Sequence, residues 1–443
     1  MAAGVQQIRR FAELLRDHPP FRWSWMGSTV SMLGSRMVGV TYPLLAFTLT
    51  ESPAWIGGVM FASTVPGLLW YIPAGAITDR LGPRRVMVCS ESARVLLMTV
   101  LCAEIALGTL EISHLVVIAL LEGALSVSSS VAETALIPTT VEPGTVETAL
   151  AMHETSVHGM VLAGRPLGGL LFGLKPIVPF VANALMFFSA AALLARLRPD
   201  DGGRGRRRVP LLRDMRAGLG ELWHHRFLRS ATLITAFTNL MVQGLIVVFL
   251  SEAAEQGLPS ALAGVILAFS GVGGIIGAFI SPQRQRISRR IEEKASRREW
   301  AASLVGWLGL AHRQRSMMLV HLWACAAALA LPLALAQVSF SFALALLVVG
   351  LAGGLSNVTL RTVLSRVPAD RVARVVGVSR LGSYSAVAIG PLLATLLVGR
   401  VESYVALLVL GTPMFLLALA MTMVGRFRSS LTSAPDPQRE PVS

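Results

Sequence analysis

Three ionisable side chains interrupt stretches of sequence that are otherwise apolar: Arg36, Glu122 and Arg165. An ionised group at the centre of a bilayer costs about 2.5–3.5 kcal/mol. Three of them unpaired would cost roughly 8–10 kcal/mol, as much as the stability of a whole domain. They must therefore face one another or a wet cavity, and Glu122 is expected to pair with Arg36, with Arg165 or with both. Two readings stand for this cluster: a structural ion pair, or a site for substrate or proton.

Other polar residues have helical spacing. Glu91 and Arg94 are helical neighbours at i,i+3 and read as a structural pair, with Asp79 nearby. His153, Glu154 and His158 follow one another closely, and a histidine beside a carboxylate titrates near neutral pH. They either take part in proton coupling or line an inner vestibule. Asn239 and Gln243 stand one helical turn apart, as do Asn357 and Arg361. Such pairs in apolar helices form cavity walls or interhelical hydrogen bonds. No GxxxxGK[ST] run is present, so direct drive by ATP is not expected. No catalytic triad or metal-ligand cluster is legible, and Cys89, Cys102 and Cys325 lie in apolar stretches without CxxC spacing. The expectation is a protein that is not an enzyme and uses no cofactor or metal.

The elements that must position these groups follow from composition. Of 443 residues, 53% are hydrophobic and 14% charged, against about 25% charged in soluble domains. A membrane helix needs about 20 apolar residues. Twelve such stretches occur, near 23–49, 54–77, 86–109, 113–137, 150–174, 176–195, 228–251, 259–282, 317–337, 340–362, 374–399 and 403–425. The fold class expected is all-α, a polytopic membrane protein of twelve helices. It divides into a 1–22 cytoplasmic segment, a 23–195 six-helix half, a 196–227 cytoplasmic loop, a 228–425 six-helix half and a disordered 426–443 tail. The first residues read as a short amphipathic segment on the inner membrane surface, without a cleavable signal pattern.

The formal charge of +14 would suggest nucleic acid in a soluble protein. Here the basic residues mark topology instead. With the N-terminus inside, 34 of the 39 Lys and Arg residues fall in inside segments, two outside (Lys175, Arg400) and three within spans. That split places both termini in the cytoplasm. The basic stretches 196–229 and 283–316 read as cytoplasmic faces near anionic lipid, each with a surface helix. The halves also repeat. Pro143 leads to Pro166, and Pro368 leads to Pro391 at the same spacing, in spans 5 and 11. Paired halves with a substrate site at their interface are a common plan of secondary transporters.

Between spans 2 and 3 the chain reads Gly75-Ala-Ile-Thr-Asp79-Arg80-Leu-Gly82-Pro-Arg84-Arg85. Gly75 would let its helix approach a neighbour closely. Asp79 would accept from backbone N–H groups or pair with Arg80 or Arg84. Gly82 permits the turn, and Arg84 and Arg85 meet lipid phosphates. This run resembles the G-x-x-x-D-R-x-G-x-R-R loop of the major facilitator superfamily, and the resemblance extends over residues 21–425. The span 1 sequence, T-E-S-P before span 2 and ALIPTTV at 135–141 resemble the drug–proton antiporter branch, which includes macrolide and siderophore exporters. That likeness implies that the loop latches the halves in the outward-facing state. Gly164-Arg165-Pro166-Leu-Gly168-Gly169 is similar to the antiporter motif of span 5, with Arg165 where glycine is usual. Pro166, Gly168, Gly169 and, in span 11, Pro391 permit bending and tight packing. Ala119 stands where many proton-coupled members have arginine.

Few cavity charges and many Phe, Met and small residues favour a bulky apolar cargo over a sugar. The function expected is export of a drug-like, antibiotic or siderophore-like molecule by alternating access, driven by an ion gradient. Its partners are the small-molecule substrate, protons and the lipid bilayer, with no nucleic acid, and the protein is monomeric in the cell membrane. The alternatives are an importer or facilitator of a small metabolite on the same fold, and a non-transporting receptor or scaffold.

Overall fold

The computed structural model describes residues 11–197, 220, 223, 226–280, 316–335, 337–364, 369–398 and 400–423, and the regular structure among them is all helical. In the first part of the chain, α1 runs Pro19–Thr50, α2 Pro53–Thr64, α3 Pro66–Leu69 and α4 Tyr71–Leu81. They are followed by α5 at Pro83–Leu107, α6 at Ile112–Leu136, α7 at Val146–Leu174 and α8 at Val178–Ala195. Later come α9 at Arg226–Glu255, α10 at Ser260–Ile280 and α11 at Ser316–Ala334. The last are α12 at Val338–Leu364, α13 at Ala369–Val398 and α14 at Ser403–Met423.

Among the described residues, nine helices are long and apolar enough to cross a membrane, and the bent run α2–α4 makes a tenth. Shorter apolar helices at Met318–Ala334 and Ser385–Val398 fall on the ninth and eleventh expected spans. Each of the twelve expected spans thus coincides with helix, and the chain is the all-α polytopic membrane protein expected. The stretches 196–227 and 283–316 and the tail from 426 lie almost wholly outside the described residues. Of the N-terminal segment, residues 11–17 are helical, and Leu14 is buried beside Phe21, Ile137 and Met152.

Local sequence sets the helix ends. Proline occupies the first turn of α1, α2, α5 and α8, where its missing N–H would have had no helical partner. Gly82 takes φ 85° between α4 and α5, and Gly108 takes φ 69° after α5, backbone that favours glycine. The second span is broken rather than continuous. Pro53–Leu69 and Pro73–Leu81 meet at 61°, because Pro66 and Pro73 withdraw two backbone donors within one stretch. Trp70 at the break donates its Nε1–H to Ser128 Oγ of α6 at 2.9 Å.

The chain clusters into two compact units, Met1–Arg208 with Ala253–Ala268 and Val209–Glu252 with Phe269–Ser443. In the first, α1 packs on α7 and α8, α5 on α6 and α8, and α2 on α6. Its core gathers Tyr42, Met98, Leu101, Leu115, Phe180 and Phe187. Here α2 and α6 meet backbone to backbone, for a Cβ on Gly123 would land on the Ser63 carbonyl. In the second unit α11 packs on α12 and α14. There α10 and α12 interlock: a Cβ on Gly273, Gly277 or Gly350 would fall on the carbonyl of Leu347, Leu351 or Ser270. Without a hydrophobic force between helices in lipid, such close contact is what holds them together. The second and fourth spans of each half are closed in this same way.

Candidate functional site: a buried arginine between two carboxylates

The strongest polar cluster is assembled by three helices of the first unit. On α5, Glu91 and Arg94 share a face at i,i+3. On α1, Ser31 and Ser35 face them one turn apart. On α6, Glu122 and Ser129 stand two turns apart. Arg94 is 1% exposed, Glu91 0% and Glu122 4%, so the three charged groups of the cluster are buried.

Arg94 is the hub. Its Nη1 donates to Glu91 Oε2 at 3.2 Å and to Ser31 Oγ at 2.8 Å. Its Nε donates to Glu122 Oε1 at 3.1 Å, and its Nη2 donates to the same oxygen and to Ser35 Oγ. Ser31 and Ser129 donate their hydroxyls to Glu91 Oε1 at 2.9 and 2.7 Å. Below the guanidinium lies the Phe187 ring of α8, its centroid 3.7 Å from Cζ, and a desolvated cation on a ring face is stabilised by the ring quadrupole. Tyr42 of α1 lies within electrostatic reach of both Glu122 and Arg94. Buried charges persist only when paired and hydrogen-bonded, and this cluster meets both conditions. It holds two carboxylates against one guanidinium.

This arrangement corrects the expected pairing. Glu122 does not meet Arg36 or Arg165 as its ion partner; it takes Arg94, which the sequence reading had assigned to Glu91 alone. The reason lies in helix rotation, since α6 turns Glu122 toward α5 and α1. Arg36 and Arg165 lie together elsewhere, within electrostatic reach of each other, where α1 and α7 approach closely at Gly164. Arg165 donates its Nη1–H to the Leu267 carbonyl at 3.1 Å.

The glycines after Arg165 are packed tightly. A Cβ on Gly168 would lie 3.0 Å from the Met37 carbonyl oxygen, and one on Gly169 would fall on the Ser260 carbonyl. Pro166 and Pro391 both sit inside continuous helices, α7 and α13. Beside Pro391, Gly390 leaves room for Gln243, whose Cβ would be 2.8 Å from an added Cβ. Asn239, one turn earlier on α9, is half-buried.

Among the described residues, a Cβ on Gly75 would meet nothing within 4 Å. Asp79, Arg80 and Arg85 are exposed, and the ion pairs among the described residues do not join Asp79 to Arg80 or Arg84. Gly82 supplies the turn, and Arg84 donates its Nη2–H to the Ala195 carbonyl at the end of α8, at 2.7 Å. On α7, His153 Nδ1 lies 3.0 Å from Glu133 Oε1 of α6. The side chains of Glu154, His158, Asn357 and Arg361 lie outside the described residues.

Sequence reasoning missed Ser31, Ser35, Ser129, Phe187 and Glu133. Ser31 and Ser35 stand one helical turn apart, which is the only spacing signal for a polar face among them. It also missed His321 on α11. That ring is buried, with Nε2 3.0 Å from Thr238 Oγ1 of α9 and Nδ1 3.2 Å from Ser356 Oγ of α12.

Comparison with known proteins agrees with this architecture. Residues 24–298 match the family described as Major Facilitator Superfamily. The multidrug efflux pump Tap of Mycolicibacterium fortuitum is 25% identical over 419 residues, 91% of this chain and 95% of Tap. An uncharacterised transporter of the same type, y4rN of Sinorhizobium fredii, is 26% identical over 58% of this chain, and the match spans 64% of y4rN. The staphyloferrin A transporter of Staphylococcus aureus is 23% identical over 41% of this chain and 48% of its own length. Among solved structures, the nucleoside transporter NupG superposes with a TM-score of 0.67 at 11% identity, covering 94% of this chain and 99% of NupG. A bacterial homologue of the lysosomal transporter Spinster, in an inward-facing conformation, gives 0.60 at 14% identity over 94% of this chain and 98% of its own.

Proposed function

The chain belongs to the major facilitator superfamily, and from that premise we propose that it exports a bulky, amphipathic small molecule in exchange for protons by alternating access. Family membership makes it a multi-pass membrane transporter of a small-molecule substrate, not an enzyme. The exchange for protons rests on one observation: Arg94 faces two carboxylates, Glu91 and Glu122. With both ionised the cluster holds one surplus negative charge in a medium where lone charge is costly. One proton brings it to neutrality while Arg94 remains paired. Glu122 is the exchanging group, because Glu91 is already held by Ser31 and Ser129 as well as by Arg94.

Export is the direction favoured, supported by the efflux-pump relative that spans nearly the whole chain and by the apolar character of the spans. The Lys and Arg distribution supports a plasma-membrane orientation with both termini in the cytoplasm and the Gly75–Arg85 loop on the cytoplasmic face. There Asp79 and the arginines act as a state-specific latch. The protein works as a monomer of two six-helix halves, 23–195 and 228–425.

The test is transport by purified protein in liposomes under an imposed pH gradient, probed with ethidium, a macrolide and a catecholate siderophore. Wild type is expected to move at least one probe against its gradient, and Glu122→Gln to bind that probe but lose gradient-driven movement. Full gradient-driven transport by Glu122→Gln removes Glu122 from the mechanism and turns attention to Glu154 and His158. If no probe moves with the gradient, proton-coupled export of this cargo class is wrong.

A further inference from the structure

One end of the first unit brings together Arg22, Arg84 and Arg196, where α1 begins, α5 begins and α8 ends. The Trp23 ring of α1 receives two guanidiniums there. Arg22 Cζ lies 4.9 Å from the ring centroid and Arg196 Cζ 4.8 Å. Trp23 is itself anchored, since it packs against the buried cluster that holds Val86, Met87 and Leu194. Arg84 stands beside them and donates its Nη2–H to the Ala195 carbonyl, one residue before Arg196.

A guanidinium stacked on a ring gives its flat face to the π-system and keeps the N–H groups of its edge for partners in its own plane. Arg22 is half-buried and Arg196 exposed, and among the described residues neither forms an ion pair with a carboxylate. Two cations held around one ring repel each other, and an anion beside them relieves that repulsion. The forked donors of arginine match phosphate oxygens in particular.

The outer face of α8 shows what carries the phosphate. Phe180, Phe187 and Leu194 turn inward, and α8 packs between α1 and α5. The opposite face exposes Val181, Leu185, Phe188, Ala192 and Ala195 in one helical stripe that ends at Arg196. Leu185 is 62% exposed and Phe188 63%. An apolar stripe that ends on arginines suits a molecule with hydrocarbon chains and an anionic head, whereas a free phosphate ion makes no use of it.

We propose that this end of the first unit is a seat for one anionic phospholipid, its headgroup phosphate held by Arg22 and Arg196 and an acyl chain lying along the exposed stripe of α8. The lipid ties the start of α1 to the end of α8, which already meet through the Trp23 ring. Basic pockets between membrane helices recognise anionic headgroups in this way. All of these contacts lie within one unit, so the inference stands whichever way cargo moves and whether or not Glu122 exchanges a proton.

The test uses full-length protein stripped of lipid in a neutral detergent. It is titrated with phosphatidylglycerol, with phosphatidylcholine of the same acyl chains, and with inorganic phosphate. Binding is read by native mass spectrometry and by melting temperature. Phosphatidylglycerol is expected to bind and to raise the melting temperature, and the other two are not. Arg22→Gln with Arg196→Gln should weaken phosphatidylglycerol binding roughly 25-fold, or about fivefold for each arginine. Arg80→Gln with Arg85→Gln removes the same charge from the same end and should leave binding close to wild type. Should the first double variant fold poorly, Arg196→Gln alone, at an exposed position past the last turn of α8, reads the fivefold step. Equal binding of phosphatidylcholine overturns the proposal, as does an equal effect of inorganic phosphate. So does phosphatidylglycerol binding unmoved by Arg196→Gln, and so does a loss in the Arg80 and Arg85 variant as large as in the Arg22 and Arg196 variant, which would mean diffuse surface charge. None of these outcomes bears on Glu122, which is read by gradient-driven transport.

Discussion

The two halves of the chain build a polar node at the same three helix positions and fill it with opposite chemistry. In the first unit, spans 1, 3 and 4 bring together Ser31, Arg94 and Glu122 around formal charges. In the second, spans 7, 9 and 10 bring together Thr238, His321 and Ser356, with no acidic or basic side chain beside them among the described residues. The helix seams beside these nodes are alike: Gly123 closes on Ser63 in one half and Gly350 on Ser270 in the other. What repeats is the way backbones approach; what differs is the electrostatics placed inside. The repeated glycine contacts leave each half free to place different polar groups beside them.

The comparison can be broken most forcefully at Arg94. Arg94→Ala leaves Glu91 and Glu122 buried together without a cation, and removing one partner of a buried pair costs about 3–5 kcal/mol. The expected result is little folded protein in the membrane, and Arg94→Lys should recover part of it. Normal yield and melting temperature for Arg94→Ala would show that the cluster is not a structural hub.

A second pair of variants tests whether the seams are equivalent. Gly123→Val and Gly350→Val each drive a side chain into a carbonyl, and overpacking of this kind costs about 1–3 kcal/mol. Both should lower the melting temperature in detergent by similar amounts. A large loss in one and none in the other would mean that the halves share helix order but not packing.

The smallest stability effect is expected in the loop between spans 2 and 3. Since a Cβ at Gly75 meets nothing within 4 Å among the described residues, Gly75→Leu should change stability by no more than about 0.5 kcal/mol, as should Asp79→Asn. Both should nonetheless slow turnover if the loop closes against another surface in a different state. Wild-type turnover in both variants would reduce the loop to a basic anchor.

The spans were legible because hydrocarbon permits only long apolar helices there, and each expected stretch coincides with helix. The break in the second span was less visible, although Pro66 and Pro73 marked it. The Glu91–Arg94 pair could be read because i,i+3 spacing is local. The partner of Glu122 could not, since residue count set Arg36 and Arg165 at its depth and assigned Arg94 to Glu91, and the choice depends on how each helix is rotated. The serines around Arg94 and the single histidine on α11 have no spacing signal, because their meaning comes from neighbours on other helices. Gly123, Gly273 and Gly350 make close backbone contacts, and a small residue by itself does not say which helix it will meet.

One feature of the first unit has an electrical meaning. A cluster of two carboxylates and one guanidinium carries a net charge of minus one when both acids are ionised and none when one is protonated. Charge carried across the whole field of a membrane does work of about 2.3 kcal/mol per elementary charge for each 100 mV. Any part of that distance the cluster covers while charged makes the step sensitive to voltage, and the same step taken while neutral is not. The empty and proton-loaded carriers would then be distinguishable as currents: a voltage jump should displace charge in protein whose carboxylates are ionised, and that transient should vanish as the cluster is titrated to neutrality.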